Sequence, residues 1–196
     1  MTQQDYLEQN LLGFENDTYA KDKFHEIITT NEIETVIETG TYLGATTKHL
    51  AQWTRTVHTI EIKKEHYDKA KNNLKSIGNI EMHYGNSAEI LLNILSNLEN
   101  KEKVFIFLDA HWQEYNPLLD ELRSIKSAGL KPIIAIHDFK VEEHPELGYD
   151  TYNGQDYEWD WIKEGVEDIY GVDGYTVEYN SKATGAMRGI IFLQSK

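Results

Sequence analysis

Polar residues of the types that bind ligands or move protons stand directly after five short apolar runs. They are Glu38-Thr39-Gly40-Thr41-Tyr42-Leu43-Gly44, then Glu61, Gly85-Asn86-Ser87, Asp109-Ala110-His111-Trp112, and His137-Asp138-Phe139. Gly40 and Gly44 allow a tight turn and close approach of backbone to a ligand. A helix opening after them adds unpaired N–H groups. The spacing is Gly-x-x-x-Gly, so the dinucleotide fingerprint Gly-x-Gly-x-x-Gly is absent. A carboxylate at Glu38 disfavours a pyrophosphate and suits a cationic group; it could equally cap the helix. Glu61 lies 21 residues beyond Gly40, where an acid can accept hydrogen bonds from both hydroxyls of a ribose. Together these features specify a nucleoside with a cationic, unphosphorylated arm.

The elements that must position these residues alternate. Val- and Ile-rich runs at Thr35–Glu38, Val57–Glu61, Ile80–His83, Val104–Asp109 and Pro132–Asp138 predict strands. Helical patterns at Gly44–Trp53, Lys64–Ile77, Ser87–Leu98 and Pro117–Ala128 lie between them. Ile90, Leu91, Ile94, Leu95 and Leu98 all fall on one helix face. Val104-Phe105-Ile106-Phe107-Leu108 is apolar without alternation, as in a strand buried on both sides. The alternation predicts right-handed crossovers and a parallel sheet with helices on both faces. Thr176–Tyr179 and Gly189–Leu193 have no room for a helix between them and predict an antiparallel hairpin. Residues 1–34 predict an N-terminal helical extension, clearest over Thr18–Thr30. Ligands of open α/β sheets bind beyond the carboxyl ends of strands, so the five polar segments should meet at one site.

The chain has 196 residues, which suits a single domain over residues 1–196. Its net charge of −14 argues against non-specific binding to nucleic acid or anionic membrane. There is no cysteine, which removes disulfides, thiolate metal sites and Cys nucleophiles. The first residues lack the basic and apolar regions of a signal peptide, and no apolar run is long enough to cross a bilayer. The expectation is a soluble, cytoplasmic protein, compatible with a homo-oligomer. Residues 142–160 hold seven acids, no Lys or Arg, and Tyr149, Tyr152, Tyr157 and Trp159. Residues 140–162 therefore read as an acidic, aromatic lid or acceptor-binding insertion over the same face, suited to a sugar, a ring or a cationic acceptor.

S-adenosylmethionine has the chemistry that Glu38, the glycine turn and Glu61 specify. The segments, in order, resemble the motifs of the class I S-adenosylmethionine-dependent methyltransferases over residues 18–193. The likeness is greatest to small metal-dependent O-methyltransferases of the catechol O-methyltransferase type and to macrocin-type sugar O-methyltransferases. Val36-Ile37-Glu38-Thr39-Gly40-Thr41-Tyr42-Leu43-Gly44 resembles their first motif, Glu-x-Gly-x-x-x-Gly, and Thr59-Ile60-Glu61-Ile62 the second. His83-Tyr84-Gly85-Asn86-Ser87-Ala88 resembles the third, Phe107-Leu108-Asp109 with His111-Trp112 the fourth, and Ala135-Ile136-His137-Asp138 the fifth.

The resemblance implies a Rossmann-like fold, with a seven-stranded, mostly parallel sheet whose last strand is antiparallel. It implies O-methylation of a small-molecule acceptor of sugar or phenol type. It places Glu38, Gly40, Tyr42, Gly44 and Thr46 around the methionine part of the cofactor, and Glu61 at the ribose. Ile62 would pack on the adenine, Asn86 and Ser87 would approach its edge, and Asp109 would sit beside the sulfonium. From the residues alone, Tyr42 could be a core aromatic and Thr46 an ordinary first-turn residue. Ile62 is expected to be buried on either reading.

Methyl transfer to oxygen needs two aligned reactants and a nucleophilic oxygen. A divalent cation can supply the second by lowering the acceptor's pKa. The metal-dependent relatives draw ligands from an Asp at the fourth strand end and an Asp-Asn pair at the fifth. Asp109 and Asp138 match, but Phe139 stands in the Asn place. His111 or His137 would complete the shell, giving Asp109, Asp138 and His111 as the leading metal set. Mixed ligands of that kind favour a transition metal over Mg2+. No Lys or Arg lies within four residues of Asp109, and Lys140 is the nearest to Asp138. A divalent ion such as Mg2+ or Mn2+ is therefore expected to neutralise the pair. The metal-free alternative has Asp138 capping its strand and His137 buried and hydrogen-bonded. No Lys follows Trp112, where catechol-type enzymes have one, so His111 is the first candidate base and His137 the second. Asp109 is the third, for a metal-free site. Two alternatives remain open: diverged, cephalosporin hydroxylase-like chemistry on this fold, and a non-catalytic cofactor-binding module. The signature Asn/Asp-Pro-Pro-Tyr/Phe of amino-methyltransferases is absent, which argues against DNA adenine methylation.

Overall fold

The computed structural model describes residues 12–111 and 115–196. Trp112 of the fourth motif and the first part of the N-terminal extension lie outside the described residues. A short 3-10 turn at Phe14–Asn16 precedes helix α1 (Thr18–Thr30). Asp17 caps α1 by accepting from the N–H groups of Tyr19 and Ala20. Then follow β1 (Thr35–Thr39), α2 (Ala45–Trp53), β2 (Thr56–Glu61), α3 (Lys64–Leu74) and β3 (Ile80–Tyr84). The second half continues with α4 (Ser87–Asn97), β4 (Val104–Leu108), α5 (Leu118–Ala128) and β5 (Ile133–Ile136). A two-stranded hairpin, β6 (Thr151–Tyr152) and β7 (Gln155–Asp156), leads into α6 (Trp159–Tyr170), β8 (Tyr175–Tyr179) and β9 (Ile191–Ser195).

Seven strands form one sheet in the order β3-β2-β1-β4-β5-β9-β8. Strands β1 to β5 pair in parallel, and β9 runs antiparallel to both β5 and β8. The expected seven-stranded sheet with its last strand antiparallel is therefore present. Order reverses between β1 and β4, so the crossovers leave on opposite faces there. Alternation along each strand divides the core accordingly. Ile37, Ile106, Leu108, Ile134 and Ile136 pack with Leu91 and Leu95 of α4, Leu122 and Ile125 of α5, and Ile162 and Val166 of α6. Val36, Val57, Phe105 and Phe107 pack with Phe24 and Ile28 of α1 and Leu50 of α2 on the other side. All five residues of β4 are buried, as expected of a strand covered on both faces.

Two differences from the sequence expectation concern the chain after β5. Helix α6 was not anticipated, and it takes over the last residues of the expected lid. Its buried Ile162, Val166, Ile169 and Tyr170 are spaced at helix period within a run whose acids and aromatics read as surface. The rest of the acidic segment is anchored. Leu147 and Tyr157 are buried, and Lys140 pairs with Asp156 at 3.1 Å and Glu158 at 2.9 Å. Strand β9 also begins two residues later than expected, at Ile191. Gly189 serves instead in the connection: its N–H reaches the Gly148 carbonyl, and a Cβ there would lie 2.0 Å from the Phe139 oxygen.

Glu38 ties the first three elements together. Its Oε2 accepts from Thr47 of α2 at 2.5 Å and from Thr59 of β2 at 2.7 Å. Burial pushes its carboxyl up to about 8, against the pull of the two threonine hydroxyls. The folded state thus holds this proton more tightly than the unfolded chain, whose value is 4.5. The resulting stabilisation is complete below pH 4.5 and is lost as pH rises through 8. Glu38→Gln, which keeps an acceptor oxygen, should flatten the fall in stability across that window in urea titrations at a series of pH values. Glu121, raised by burial to about 7, should leave a smaller residual slope. An unchanged pH dependence would contradict the burial of a protonated Glu38.

Candidate active site

A cavity of about 430 Å³ opens beyond the carboxyl ends of the parallel strands. That volume lies in the range of cofactor and small-ligand pockets. The β1 end contributes Gly40, Thr41, Tyr42 and Thr46, and the β2 end Glu61 and Ile62. Asn86 and Ser87 follow β3, Asp109 and His111 follow β4, and His137 follows β5. Ten of the candidate residues thus border one space. Glu38, Gly44 and Asp138 do not line it. Glu38 lies beneath the turn with Thr47 and Thr59 and acts through the scaffold, where sequence reading expected a ligand contact. Gly44 is the left-handed N-cap of α2, and a Cβ there would meet Leu74 of α3. Asp138 borders a small adjoining cavity with Glu121 and Tyr157.

The nucleoside half is built around Glu61. The Oε2 atom accepts from the Tyr42 N–H at 2.8 Å and Oε1 from the Lys63 N–H at 2.7 Å. These bonds fix the carboxylate plane, and the carboxylate's remaining acceptor capacity faces the cavity. Burial raises its pKa, with the Lys63 and Tyr42 N–H groups pulling the other way. Ile62 is 42% exposed on the wall, contrary to the expectation of burial. It offers an uncovered apolar surface beside Glu61. Asn86 spends its side-chain oxygen capping α4 through the Ala88 and Glu89 N–H groups. Gly40 is required for a different reason from the expected one. Its φ is +85°, and a Cβ would lie 2.4 Å from the Asp109 carbonyl oxygen, so the neighbouring strand end excludes a side chain there.

The reacting half is an ionic cluster. His137 Nδ1 lies 3.3 Å from Asp109 Oδ1 and 3.3 Å from Asp138 Oδ1. Burial alone would lower the pKa of His137, but the Asp138 and Asp109 carboxylates overcome it and hold it well above the ordinary value. Asp138 is lowered in turn: His137 and Arg188 outweigh the burial that opposes ionisation. Arg188 donates Nε to Asp138 and Nη2 to Asp150. His111 stands in front, with Nε2 at 3.7 Å from Asp138 and Nδ1 at 3.8 Å from Asp150. Its side chain is 46% exposed.

Two groups here have ligand atoms close enough to hold a cation: Asp109, His137 and Asp138, and His111, Asp138 and Asp150. Their donors are partly engaged. The Asp138 and Asp109 carboxylates hold the His137 pKa well above its ordinary value, and Arg188 takes Oδ1 of Asp138 and of Asp150, while the Oδ2 atoms of both face His111. Asp109 and Asp138 thus have basic side chains beside them, so their closeness alone does not call for a divalent ion. The expected set of Asp109, Asp138 and His111 is divided between the two groups.

Sequence reading missed Arg188 and Glu15, and it reached Asp150 and Tyr152 only as members of the acidic, aromatic segment. Arg188 and Asp150 come from connections 50 and 12 residues beyond Asp138, and only the fold brings them in. Glu15 and Tyr152 line the cavity. Glu15 has φ +50°, and its carboxyl is raised by burial, with His137 pulling it down and Asp109 and Asp138 pushing it up. Tyr42 at φ +49° and Asp138 at φ +58° share this left-handed backbone, a strain that collects at functional sites. The acids and aromatics of residues 142–160 were the one signal pointing to Asp150 and Tyr152.

Comparison with known proteins agrees with this geometry. No curated protein sequence matches the chain. Its fold is that of the O-methyltransferase TomG from Streptomyces achromogenes, solved with SAM, at a TM-score of 0.69 and 16% identity, covering 98% of this chain and 86% of that one. It is likewise similar to an O-methyltransferase from Bacillus cereus solved with SAH, at a TM-score of 0.68 and 17% identity, covering 100% and 92%. The family model for Rhamnosyl O-methyltransferase/CmcI matches residues 1–178. With nearly the whole chain matched and every strand end in place, the protein belongs to the Rhamnosyl O-methyltransferase/CmcI family of methyltransferases.

Proposed function

We propose that this S-adenosylmethionine-dependent O-methyltransferase acts on a hydroxyl of a small, ring-bearing acceptor, with His111 as the general base. The observation that carries the reading is the place of His111. It is the exposed imidazole on the cavity wall, backed by two carboxylates. Bound S-adenosylmethionine supplies the methyl group as an electrophile at a positively charged sulfur. The residues of the chain do the rest. Glu61 accepts the ribose hydroxyls, Ile62 covers a face of the adenine, and the Gly40 turn approaches the methionine arm.

His111 takes the acceptor's proton, and Asp138 and Asp150 stabilise the imidazolium that forms. His137 is already protonated, so it serves as a fixed positive charge that orients Asp109 and Asp138 and not as the base. Phe14, Tyr115 and Tyr152 line the same cavity and suit stacking on a sugar or phenol ring. The net charge of −14 supports a small acceptor over a nucleic acid.

Glu61→Ala should weaken S-adenosylmethionine binding at least tenfold by calorimetry, because each charged hydrogen-bond partner lost costs about 1.5–3 kcal/mol. Equal affinity would remove Glu61 from the ribose. His111→Ala should lower kcat by about 10²–10⁴ while cofactor affinity stays the same. An undiminished kcat would refute its role as base. Chelator-treated enzyme should keep full activity, since Arg188 and His137 already balance the carboxylates. Activity lost on chelation and restored by Mg2+ or Mn2+ would return the metal to the mechanism.

A further inference from the structure

A third group of metal-ligating side chains lies outside the cavity, where β2 meets the edge strand β3. The register pairs His58 with Glu81 and Ile60 with His83. Glu81 and His83 are two residues apart, so both point to the face of the sheet that His58 shares. His58 Nδ1 is 3.2 Å from His83 Nε2 and 3.5 Å from Glu81 Oε2. The three ligand atoms all lie within 4.8 Å of one another. None of the three residues lines the active-site cavity.

These separations have a meaning for coordination. Zinc bonds of about 2.0–2.1 Å meeting at a tetrahedral angle place neighbouring ligand atoms roughly 3.3–3.4 Å apart. The two spacings from His58 Nδ1 fall either side of that value. We propose that His58, Glu81 and His83 form a binding site for a divalent transition-metal ion of the zinc class, clamping β3 onto β2. Two imidazoles and one carboxylate select such an ion over magnesium, which prefers an all-oxygen shell. The donors stand on adjacent, hydrogen-bonded strands, so little ordering remains to be done on binding. The His58 side chain is 11% exposed and that of Glu81 63%, so the group has a sheltered floor and an open side where a water would complete a tetrahedron. The facing nitrogens of His58 and His83 share a hydrogen bond, which an ion would replace once the donor ring shifts its proton to its other nitrogen; burial keeps both histidines below their ordinary pKa, against the pull of Glu81.

Calorimetry of the untagged full chain with Zn2+, and visible absorption with Co2+, test the site. One ion per chain is expected, with a tetrahedral Co2+ spectrum and a higher melting temperature in Zn2+. His83→Ala should weaken Zn2+ binding at least about a hundredfold, and Glu81→Ala, a change at an exposed side chain, at least about tenfold. Asp138→Asn should leave Zn2+ affinity unaltered, which separates this site from the carboxylates of the cavity. Absence of binding overturns the proposal. So does binding that survives His83→Ala and Glu81→Ala, or that Asp138→Asn removes.

Discussion

The approach of the β1 turn to the end of β4 is the constraint on which the site depends. Gly40 sits where a side chain would strike the Asp109 carbonyl, and the Asp109 N–H donates back to Thr39. On its other side the Gly40 N–H donates to the Ile60 carbonyl at 2.9 Å. The turn is thus stitched to both neighbouring strands at the point where strand order reverses. Because α2 and α4 cover opposite faces, neither helix closes over this point. The cavity is what the reversal leaves open, and residues following five strands border it.

Electrostatics then divides the cavity into two halves. At the β2 end, Glu61 is held by the backbone N–H groups of Tyr42 and Lys63. At the β4 and β5 ends, Arg188 and His137 pair with Asp109, Asp138 and Asp150, and His111 stands in front of the last two. A carboxylate fixed in place by backbone N–H groups suits neutral hydroxyls. A cluster of carboxylates with one exposed imidazole in front suits taking up a proton, because the carboxylates stabilise the imidazolium that forms. The buried acid Glu38 serves neither half directly; it holds the β1 turn that separates them.

Most of this was legible in the chain because strand ends declare themselves locally. An apolar run followed by Glu61 or by Asp109-Ala110-His111 needs only a few residues to be recognised, and all five such segments reached the site. What was not legible is what depends on contacts across the fold. Arg188 reaches Asp138 only because β9 enters the sheet beside β5, so its neutralising charge was invisible in the sequence. Helix α6 was hidden because its apolar stripe is interleaved with Glu164, Glu167 and Asp168 and follows an acidic segment. Ile62 was expected to be buried because apolar residues after a strand usually are. Its exposure beside a cavity marks a surface for a ligand.

The central claim is that the space between the β1, β2 and β4 ends holds S-adenosylmethionine with its reactive end toward His111. A crystal structure of the protein with S-adenosylhomocysteine tests this most directly. The account predicts the ribose hydroxyls on the Glu61 carboxylate, the adenine against Ile62, and the sulfur on the side of Asp109 and His111. A ligand bound elsewhere, or one in this cavity with its ribose away from Glu61, would contradict it.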